Sequence, residues 1–344
     1  MAGKVRARAE LQPGGLVTVF GGSGFLGQHV VQALGRRGYR IRVAVRRPNE
    51  ALFLKTSGGV GQIEPVQANI RDEGSVRAAI EGASAVINLV GILSESGPQR
   101  FETVQAMGAE RLARAAKAAG VPIFIHVSAL GADEQSASAY ARTKARGEAA
   151  VLQHMPGAAI LRPSVVFGPE DQFFNRFAAM ARMTPVLPLI GGGDTRFQPV
   201  YVKDVAEAVA RVLETDAADG KMFELGGPET LTMRQVMELV LRETCRKRLL
   251  LPVPFALARP LAALLQFAPG APLTPDQLRL LQSDNVVSDA ARDENRTLSG
   301  LGISPTAAEA IVPSYLVRFR RRGQFEPAPE LVSDGLEQRE LKQS

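Results

Sequence analysis

The sequence predicts an α/β fold, with a doubly wound parallel sheet in the first half and a second, smaller C-terminal domain. Short apolar runs alternate with helical patterns between Leu16 and Arg162, and strands separated by helices form parallel sheets. A glycine-rich loop directly follows the first apolar run. After Pro163 prolines and glycines become frequent, and this change indicates the second domain.

The sheet domain is predicted from runs of apolar and β-branched residues and from the helical patterns between them. The strands are Leu16–Phe20, Tyr39–Val45, Ile63–Gln67, Ala85–Val90, Ile123–Ser128 and Ala158–Arg162. The helices are Phe25–Leu34, Ser75–Ile80, Glu102–Ala119 and Ala139–Leu152, of which the second and third end close to a glycine. Beyond Pro163 we expect strands Pro199–Val202 and Met222–Leu225, helix Asp204–Leu213, and a helix that Thr232 begins and Arg242 ends.

These elements predict four regions along the chain. Residues 1–15 form a basic N-terminal leader without the apolar centre of a signal peptide, so we expect it to stay uncleaved in the cytosol. Residues 16–165, with a returning segment 196–226, form the nucleotide-binding domain. Residues 166–195 and 227–322 form the smaller domain, and 323–344 an acidic tail.

Composition excludes several classes of protein. The single cysteine, Cys245, excludes a disulfide framework. The scattered histidines His29, His126 and His154 lack cysteine partners at ligand spacing, so no metal site is expected. The net charge of +6 is mild and no nucleic-acid reading module is recognisable, so nucleic acid is not expected as a partner.

Two segments, one apolar and one cationic, can each be interpreted in more than one way. The apolar stretch Leu249–Pro272 contains one charge, Arg259, and its prolines argue against a membrane-spanning helix. It is either core of the smaller domain or a contact with lipid or another subunit. The cationic run Arg318–Arg322 is either a solvated helix face or a contact with anionic lipid.

The loop Gly21–Gly27 predicts a dinucleotide site. It lies between the first strand and the first helix, which is the context that gives a glycine motif its meaning in a Rossmann domain. Gly21 allows a tight turn, Gly24 lets the backbone approach a pyrophosphate, and Gly27 lets the helix pack on the strand. The helix N-terminus attracts the anion.

The end of the second strand favours NADP(H) over NAD(H). Sites for NAD(H) usually have an acidic residue there, whereas this chain has Arg46 and Arg47. A guanidinium group matches the 2′-phosphate by bidentate hydrogen bonds. The alternative is a solvated basic edge, since other arginines lie nearby.

A second motif follows the fifth strand. Ser128 ends that strand, and Tyr140 and Lys144 lie four residues apart on one helix face. A lysine so placed can lower the pKa of the tyrosine, and the serine can hold a substrate oxygen, as in proton transfer by short-chain dehydrogenases. Alternatively, Tyr140 and Lys144 only bind the ribose of the nucleotide.

Together these motifs resemble the atypical or extended short-chain dehydrogenases/reductases. The resemblance includes the glycine loop, Asn69 with Asp72, the Ser128/Tyr140/Lys144 set and the run Arg162–Pro169. The segments Ile123–Leu130, Pro169–Asn175, Gln198–Ala206 and, above all, Leu273–Val287 are similar to the NADPH-binding accessory subunits of respiratory complex I. The short N-terminal region favours the bacterial type of that family.

The resemblance implies a peripheral protein on the cytoplasmic side of the bacterial inner membrane, near the quinone site of NADH:ubiquinone oxidoreductase. Its partners would be subunits of the peripheral arm and its membrane junction, with anionic lipid as a further expected contact. NADPH would be structural, supporting assembly and stability rather than turnover, although the serine, tyrosine and lysine are all present as catalytic candidates.

The resemblance also implies the residues that bind NADPH. Gly21, Ser23, Gly24, Phe25 and Leu26 would hold the pyrophosphate, Arg46 and Arg47 the 2′-phosphate, Asn69 and Ile70 the adenine, and Lys144 the ribose. The other expected contacts are Gly27, Leu89, Val90, Gly91, Ser128, Tyr140, Pro163 and Val166. Two alternative functions remain: an active NADP-dependent reductase or epimerase that uses Ser128, Tyr140 and Lys144, and a soluble redox sensor whose partner contact changes with NADPH.

Overall fold

The computed structural model describes residues 14–266 and 273–326. Most of the predicted leader and of the tail, together with the end of the apolar stretch at 267–272, lies outside the described residues. Among the residues that are described, no helix is both long enough and apolar enough to cross a membrane.

The strands of the described residues are short. They are β1 (Leu16–Phe20), β2 (Arg40–Val45), β3 (Ile63–Gln67), β4 (Ala85–Asn88), β5 (Ile123–Val127), β6 (Ala159–Pro163), β7 (Val166–Phe167), β8 (Val186–Ile190), β9 (Arg196–Phe197), β10 (Val200–Tyr201), β11 (Met222–Leu225), β12 (Leu231–Thr232) and β13 (Leu249–Val253). The strands predicted in the first half are present, and their ends agree to within two residues.

The helices alternate with the strands in the first half of the chain. They are α1 (Phe25–Arg36), α2 (Glu73–Ile80), α3 (Met107–Ala118), α4 (Ala139–His154), α5 (Phe174–Met183), α6 (Val202–Glu214), α7 (Met233–Glu243), α8 (Phe255–Leu265), α9 (Pro275–Leu280), α10 (Asp289–Asp293) and α11 (Ala308–Leu316). Thr232 caps α7, as predicted, by accepting a hydrogen bond from the Gln235 N–H.

The structure differs from the prediction in three segments of the first half. Tyr39 precedes β2 and is not part of it. The segment Pro48–Ser57, for which no element was predicted, forms a 3₁₀ helix that buries Ala51 and Leu54. The helix predicted to begin at Glu102 starts as one π-helical segment, Glu102–Ala106, before α3. Apolar spacing does not distinguish these tighter and wider turns from an α-helix.

A parallel sheet forms the centre of the first half. Among the described residues it has seven strands in the order β3-β2-β1-β4-β5-β6-β11. All five residues of β5 are buried, because helices cover both faces of such a sheet. The strand order reverses between β1 and β4, the place where open α/β sheets bind ligands. The predicted doubly wound α/β fold is confirmed.

The described chain divides into two compact units. The first contains residues 14–164, Val202–Gly226 and Val287–Pro305, and the second contains the others. The predicted return at 196–226 therefore starts later, since β9 and β10 pair with β12 and β7 of the second unit. A second return, at 287–305, was not predicted. It is tied to β11, where Glu224 donates its N–H to the Arg296 carbonyl.

The second unit contains a buried polar centre at Asp171, within the predicted Pro169–Asn175 segment. Its carboxylate accepts hydrogen bonds from the Tyr315 hydroxyl at 2.6 Å and from the N–H groups of Gly168, Phe173 and Asn175. Arg318 donates to the Asn175 side chain, and Arg320 donates to the Glu243 carbonyl. These two arginines of the cationic run therefore bind within the unit, whereas Arg321 and Arg322 are exposed.

The apolar stretch that begins at Leu249 is only slightly buried. It forms β13 and α8, and of the α8 residues only Ala258 and Ala262 are buried, where they pack against Leu278. The leucines at 249, 251, 257, 261 and 264 are exposed. Most of the described part of this stretch is therefore not core, because the two small alanines are the side chains that face Leu278.

We expect Gly27→Ala to lower the free energy of unfolding by about 3 kcal/mol. A Cβ at Gly27 would lie 2.3 Å from the Gly21 carbonyl oxygen, so α1 would have to move away from the loop. In the matched control Gly74→Ala, the Cβ would lie 3.5 Å from the nearest atom, and a helical alanine stabilises by about 0.5–1 kcal/mol. Urea denaturation of both variants measures the difference, and equal stabilities would contradict it.

Candidate dinucleotide-binding site

A cleft of about 250 Å³ opens where β1, β2, β3 and β4 end. Its lining contains nine of the predicted cofactor residues: Gly21, Ser23, Gly24, Arg46, Asn69, Ile70, Leu89, Val90 and Gly91. It also contains Phe20, Ala44, Val45, Ala68, Arg71, Ile92, Gln99 and Val104. The cleft lies entirely in the first unit and at the reversal of strand order.

The glycine loop forms one wall of this cleft. Gly21 has a φ of +82°, which a side chain would strain, and its N–H donates to the Ala44 carbonyl at 3.2 Å. Gly24 begins α1, and no side chain caps the helix there. The positive end of the helix dipole, including the N–H groups of Phe25, Leu26 and Gly27, therefore faces the side on which an anion can bind.

The two predicted 2′-phosphate arginines have different environments. Arg46 lines the cleft, directly after β2. Arg47 lies outside the lining and forms an ion pair with Glu50 at 2.8 Å, in which both side chains are largely exposed. Glu50 lies three residues after Arg47, which is close enough for the two side chains to pair.

Arg71 is a cleft residue that the sequence analysis missed. It follows Asn69 and Ile70 after β3, and its guanidinium donates to the Pro98 carbonyl at 3.0 Å. Its place two residues beyond Asn69 is the signal that could have identified it, because the ends of neighbouring parallel strands meet at one edge. The cleft thus has two arginines, one after β2 and one after β3.

The loop Leu89–Ile92 is held in place at both ends. The Asn88 side chain accepts the Val90 N–H at 3.1 Å and donates to His126 Nδ1 at 3.0 Å. At the other end, Gln105 donates to the Ile92 carbonyl at 2.8 Å. Burial lowers the pKa of His126 to about 3, so its ring is neutral and can accept at Nδ1. Asn88 and Gln105 position this wall of the cleft.

Ser128, Tyr140 and Lys144 lie on the other side of this loop. Lys144 Nζ donates to the Val127 carbonyl at 3.3 Å, and a Cβ on Gly91 would lie 3.3 Å from the same nitrogen. The Ser128 hydroxyl is buried without a hydrogen-bond partner among the described residues. The ammonium of Lys144 is 6.0 Å from the centre of the Tyr140 ring. The sequence-predicted set is therefore assembled in space.

The pKa values of Tyr140 and Lys144 differ from those expected at a proton-transfer site. Burial raises the pKa of Tyr140 to about 12. Burial also lowers the pKa of Lys144 to about 8, against the opposing effect of Glu148. A general acid or base works best when its pKa lies near the working pH, and Tyr140 is far from it. The arrangement supplies the positive charge of Lys144 and the hydroxyl of Ser128 for binding.

Two further predicted contacts lie outside the cleft lining. Pro163 ends β6 in the first unit, and Val166 belongs to β7 in the second unit. Their role in nucleotide binding stays a prediction. Over the described residues no group of histidine, cysteine and acidic side chains is suited to a metal ion.

The first unit matches a known protein family. The family model described as NAD dependent epimerase/dehydratase family covers residues 17–226. The chain is 37% identical to NADH dehydrogenase (ubiquinone) 1 alpha subcomplex subunit 9, mitochondrial, of Arabidopsis thaliana, over 90% of this chain and 79% of that protein. It is 31% identical to the NADH-ubiquinone oxidoreductase 40 kDa subunit of Neurospora crassa, over 95% and 85%. A ceramide reductase of Caulobacter vibrioides is 34% identical over 58% and 62%.

Solved structures agree with the fold. The NADPH-dependent quinone oxidoreductase QOR2 of Escherichia coli, complexed with NADPH, superimposes with a TM-score of 0.69 at 23% identity, covering 87% of this chain and 99% of that one. The triphenylmethane reductase of Citrobacter has a TM-score of 0.69 at 19% identity over the same shares. At these identities the likeness concerns the fold alone.

The glycine loop, the cleft and the full-length similarity lead to the same assignment. The family model covers more than half of the chain, and the two mitochondrial subunits are matched over most of their own lengths. The chain therefore belongs to the NAD dependent epimerase/dehydratase family, and its homologues include subunits of mitochondrial NADH:ubiquinone oxidoreductase.

Proposed function

We propose that this chain binds NADPH as a structural cofactor and is an accessory subunit of respiratory complex I. In this proposal it supports assembly and stability of the peripheral arm, near the quinone site and the membrane. The observation that carries it is the similarity to two mitochondrial complex I subunits over most of their length. The burial of Tyr140, which raises its pKa to about 12, adds support for a binding role. A phenol in this state serves binding better than proton transfer.

The cleft fits a dinucleotide with an extra phosphate. The uncapped start of α1 and the Gly21–Gly24 turn suit a pyrophosphate, which NADPH supplies together with its 2′-phosphate. Arg46 and Arg71 line the cleft at the ends of neighbouring strands, where that 2′-phosphate would lie. The unpartnered Ser128 hydroxyl and the Lys144 ammonium suit the nicotinamide ribose.

A structural cofactor acts on stability by mass action. NADPH at about a hundred times its dissociation constant would add on the order of 3 kcal/mol to the free energy of unfolding. The stabilisation would reach the walls that the nucleotide touches, among them the loop held by Asn88 and Gln105. The first unit would thus be stabilised without any turnover.

The proposed partners are complex I subunits of the peripheral arm and its membrane junction. The support is that the Arabidopsis and Neurospora relatives, matched over most of their length, are named as subunits of that enzyme. The subunit relatives named here are mitochondrial, so the bacterial type, with a peripheral location on the cytoplasmic side of the inner membrane, remains a prediction from the sequence.

An active NADP-dependent reductase is the second candidate. It is favoured by the similarity to the Caulobacter ceramide reductase and by the complete serine, tyrosine and lysine set. In that case a bound substrate would have to lower the pKa of Tyr140 toward neutrality. A measurement of NADPH oxidation by the chain distinguishes the reductase from the subunit that only binds NADPH.

We expect Arg46→Asp to weaken NADPH binding about 100-fold while leaving NADH binding within about threefold, because it removes a bidentate phosphate contact and adds repulsion. The matched control is Arg47→Asp, since Arg47 pairs with Glu50 outside the cleft. Titration calorimetry with both nucleotides measures the four affinities. Unchanged selectivity in Arg46→Asp would refute its contact with the 2′-phosphate.

We expect Lys144→Met to stabilise the nucleotide-free chain at pH 7 while it weakens NADPH binding. The pKa of Lys144 is lowered from 10.5 to about 8, so its charge destabilises the folded state by roughly 3 kcal/mol below pH 8. This penalty decreases as the pH rises from 8 toward 10.5, because over that range the folded chain releases the proton that the unfolded chain still keeps.

The measurement is the melting temperature of the free chain and of this variant at pH 7 and pH 10. The advantage of Lys144→Met should be present at pH 7 and nearly absent at pH 10. If the variant is less stable at pH 7, Lys144 contributes to the fold rather than to the ligand site.

We expect affinity-tagged chain, isolated from mildly solubilised membranes of its own source, to carry complex I subunits. Tyr140→Phe should leave this co-purification unchanged, since the phenol has no proton to transfer in the proposed role. It should weaken NADPH binding by no more than the loss of one hydrogen bond, about tenfold. Mass spectrometry identifies the subunits. Absence of complex I subunits contradicts the subunit function, whereas NADPH oxidation that disappears in Tyr140→Phe supports the reductase.

A further inference from the structure

Six large apolar side chains of the second unit face solvent on neighbouring elements. We call them the leucine surface: Met183, Leu249, Leu251, Leu257, Leu261 and Leu264. Their exposed fractions range from 43% for Leu261 to 75% for Leu264. Single exposed leucines are ordinary on protein surfaces, but such a concentration within two short segments marks a contact site.

The α8 part of this surface is a continuous stripe. Leu257, Leu261 and Leu264 are spaced four and three residues apart, which places them on one face of the helix. Ala258 and Ala262 lie on the adjacent face and pack against Leu278. The helix is thus fixed by its small residues and directs its large ones outward.

The β13 part continues the same surface toward α5. β13 pairs in parallel with β8, with Leu249 beside Val186. Met183, at the end of α5, lies three residues before Val186 and is 71% exposed. Arg248 donates to the Ala181 carbonyl at 2.7 Å and so ties the start of β13 to the end of α5.

A cluster of positive charge lies at this end of the leucine surface. Burial lowers the pKa of Arg246, and the nearby charges of Arg248, Arg321 and Arg182 lower it further, while Glu326 opposes them. The Arg246 guanidinium donates to the Phe319 carbonyl. The sequence from 249 to 275 has no acidic residue, and its single charge is Arg259.

The positive charge beside the leucine surface and its aliphatic side chains indicate which kind of partner it fits. A second copy of this chain would bring the same arginines against each other in a symmetric dimer. Protein interfaces are rich in aromatic anchors, whereas the leucine surface is aliphatic. α8, with 11 residues, is about 16 Å long and too short to span a bilayer. Aliphatic side chains beside a cluster of four arginines suit the boundary between anionic headgroups and acyl chains.

We propose that the leucine surface inserts into the interface of an anionic bilayer, with Arg182, Arg246, Arg248 and Arg321 against the lipid phosphates. The inference deepens the membrane-side location and lipid contact expected for this chain, and it rests on that part of the proposed function. It assigns the contact to named residues of α8, β13 and the end of α5, and not to the Arg318–Arg322 run as a whole.

The experiment is co-sedimentation of the full chain with vesicles of phosphatidylglycerol and phosphatidylcholine, and with vesicles of phosphatidylcholine alone. We expect binding to the anionic vesicles that weakens as salt is added, because exposed charges are screened. The triple variant Leu257→Ser, Leu261→Ser, Leu264→Ser should lose about 1,000-fold in affinity, since each buried leucine contributes about tenfold. Arg182→Gln with Arg321→Gln should lose about 20-fold.

Matched controls use exposed side chains of the first unit. The triple variant Leu52→Ser, Val60→Ser, Leu93→Ser removes as many exposed apolar residues and should bind as the unchanged chain does. Circular dichroism and urea denaturation confirm that all variants are folded, as expected for exposed positions. NADPH affinity, measured on the variants of the second unit, should be the same because the cleft lies in the first unit.

Three outcomes overturn the inference: no binding to anionic vesicles, equal binding of the α8 triple variant, or binding without preference for anionic lipid. If the α8 variant instead loses self-association in sedimentation velocity, the surface is a contact between copies and the inference fails. Failure with vesicles while complex I subunits still co-purify leaves the subunit function standing. Vesicle binding without co-purifying complex I subunits would support the lipid contact and contradict the subunit function.

Discussion

The first unit depends on one contact between backbone atoms, where α1 passes over the loop that follows β1. Space for a side chain is absent at Gly27, whose Cβ would lie 2.3 Å from the Gly21 carbonyl oxygen. This contact fixes the direction of α1 and aims its uncapped N-terminus at the cleft. The far end of α1 is then tied to α6, where Arg37 pairs with Glu207 and Glu214. The position of the cleft follows from this arrangement.

In the cleft, the residues that hold the walls in position are different from the residues that supply positive charge. Neutral hydrogen bonds of Asn88, His126 and Gln105 hold the Leu89–Ile92 loop, and burial keeps His126 uncharged. Positive charge comes from Arg46, Arg71 and Lys144, on other elements. Because the scaffold has few ionisable groups, an anion can bind without disturbing it. The site is therefore organised before its ligand arrives, which is what a structural cofactor site requires.

Much of this could be predicted from the sequence, and the exceptions share a cause. Apolar periodicity identified the strands of the sheet, and the glycine spacing located the cleft. Arg47 lies outside the cleft lining and pairs with Glu50, three residues away, which the strand pattern did not indicate. Gln105 and Arg71 were missed because their roles arise from elements distant along the chain. The apolar stretch at α8 was ambiguous, since hydropathy measures what a side chain prefers and not which neighbours it finds.

The order of segments along the chain has a consequence for biosynthesis. The sheet of the first unit receives its last strand, β11, only after the intervening 165–201 segment of the second unit has been made. Residues 287–305 then close over β11 through Ser288 and Arg296. A nascent chain on the ribosome therefore holds an unfinished sheet edge until most of its length has emerged. Such an open edge invites mispairing, and an early ligand at the β1–β4 end would protect the part already folded.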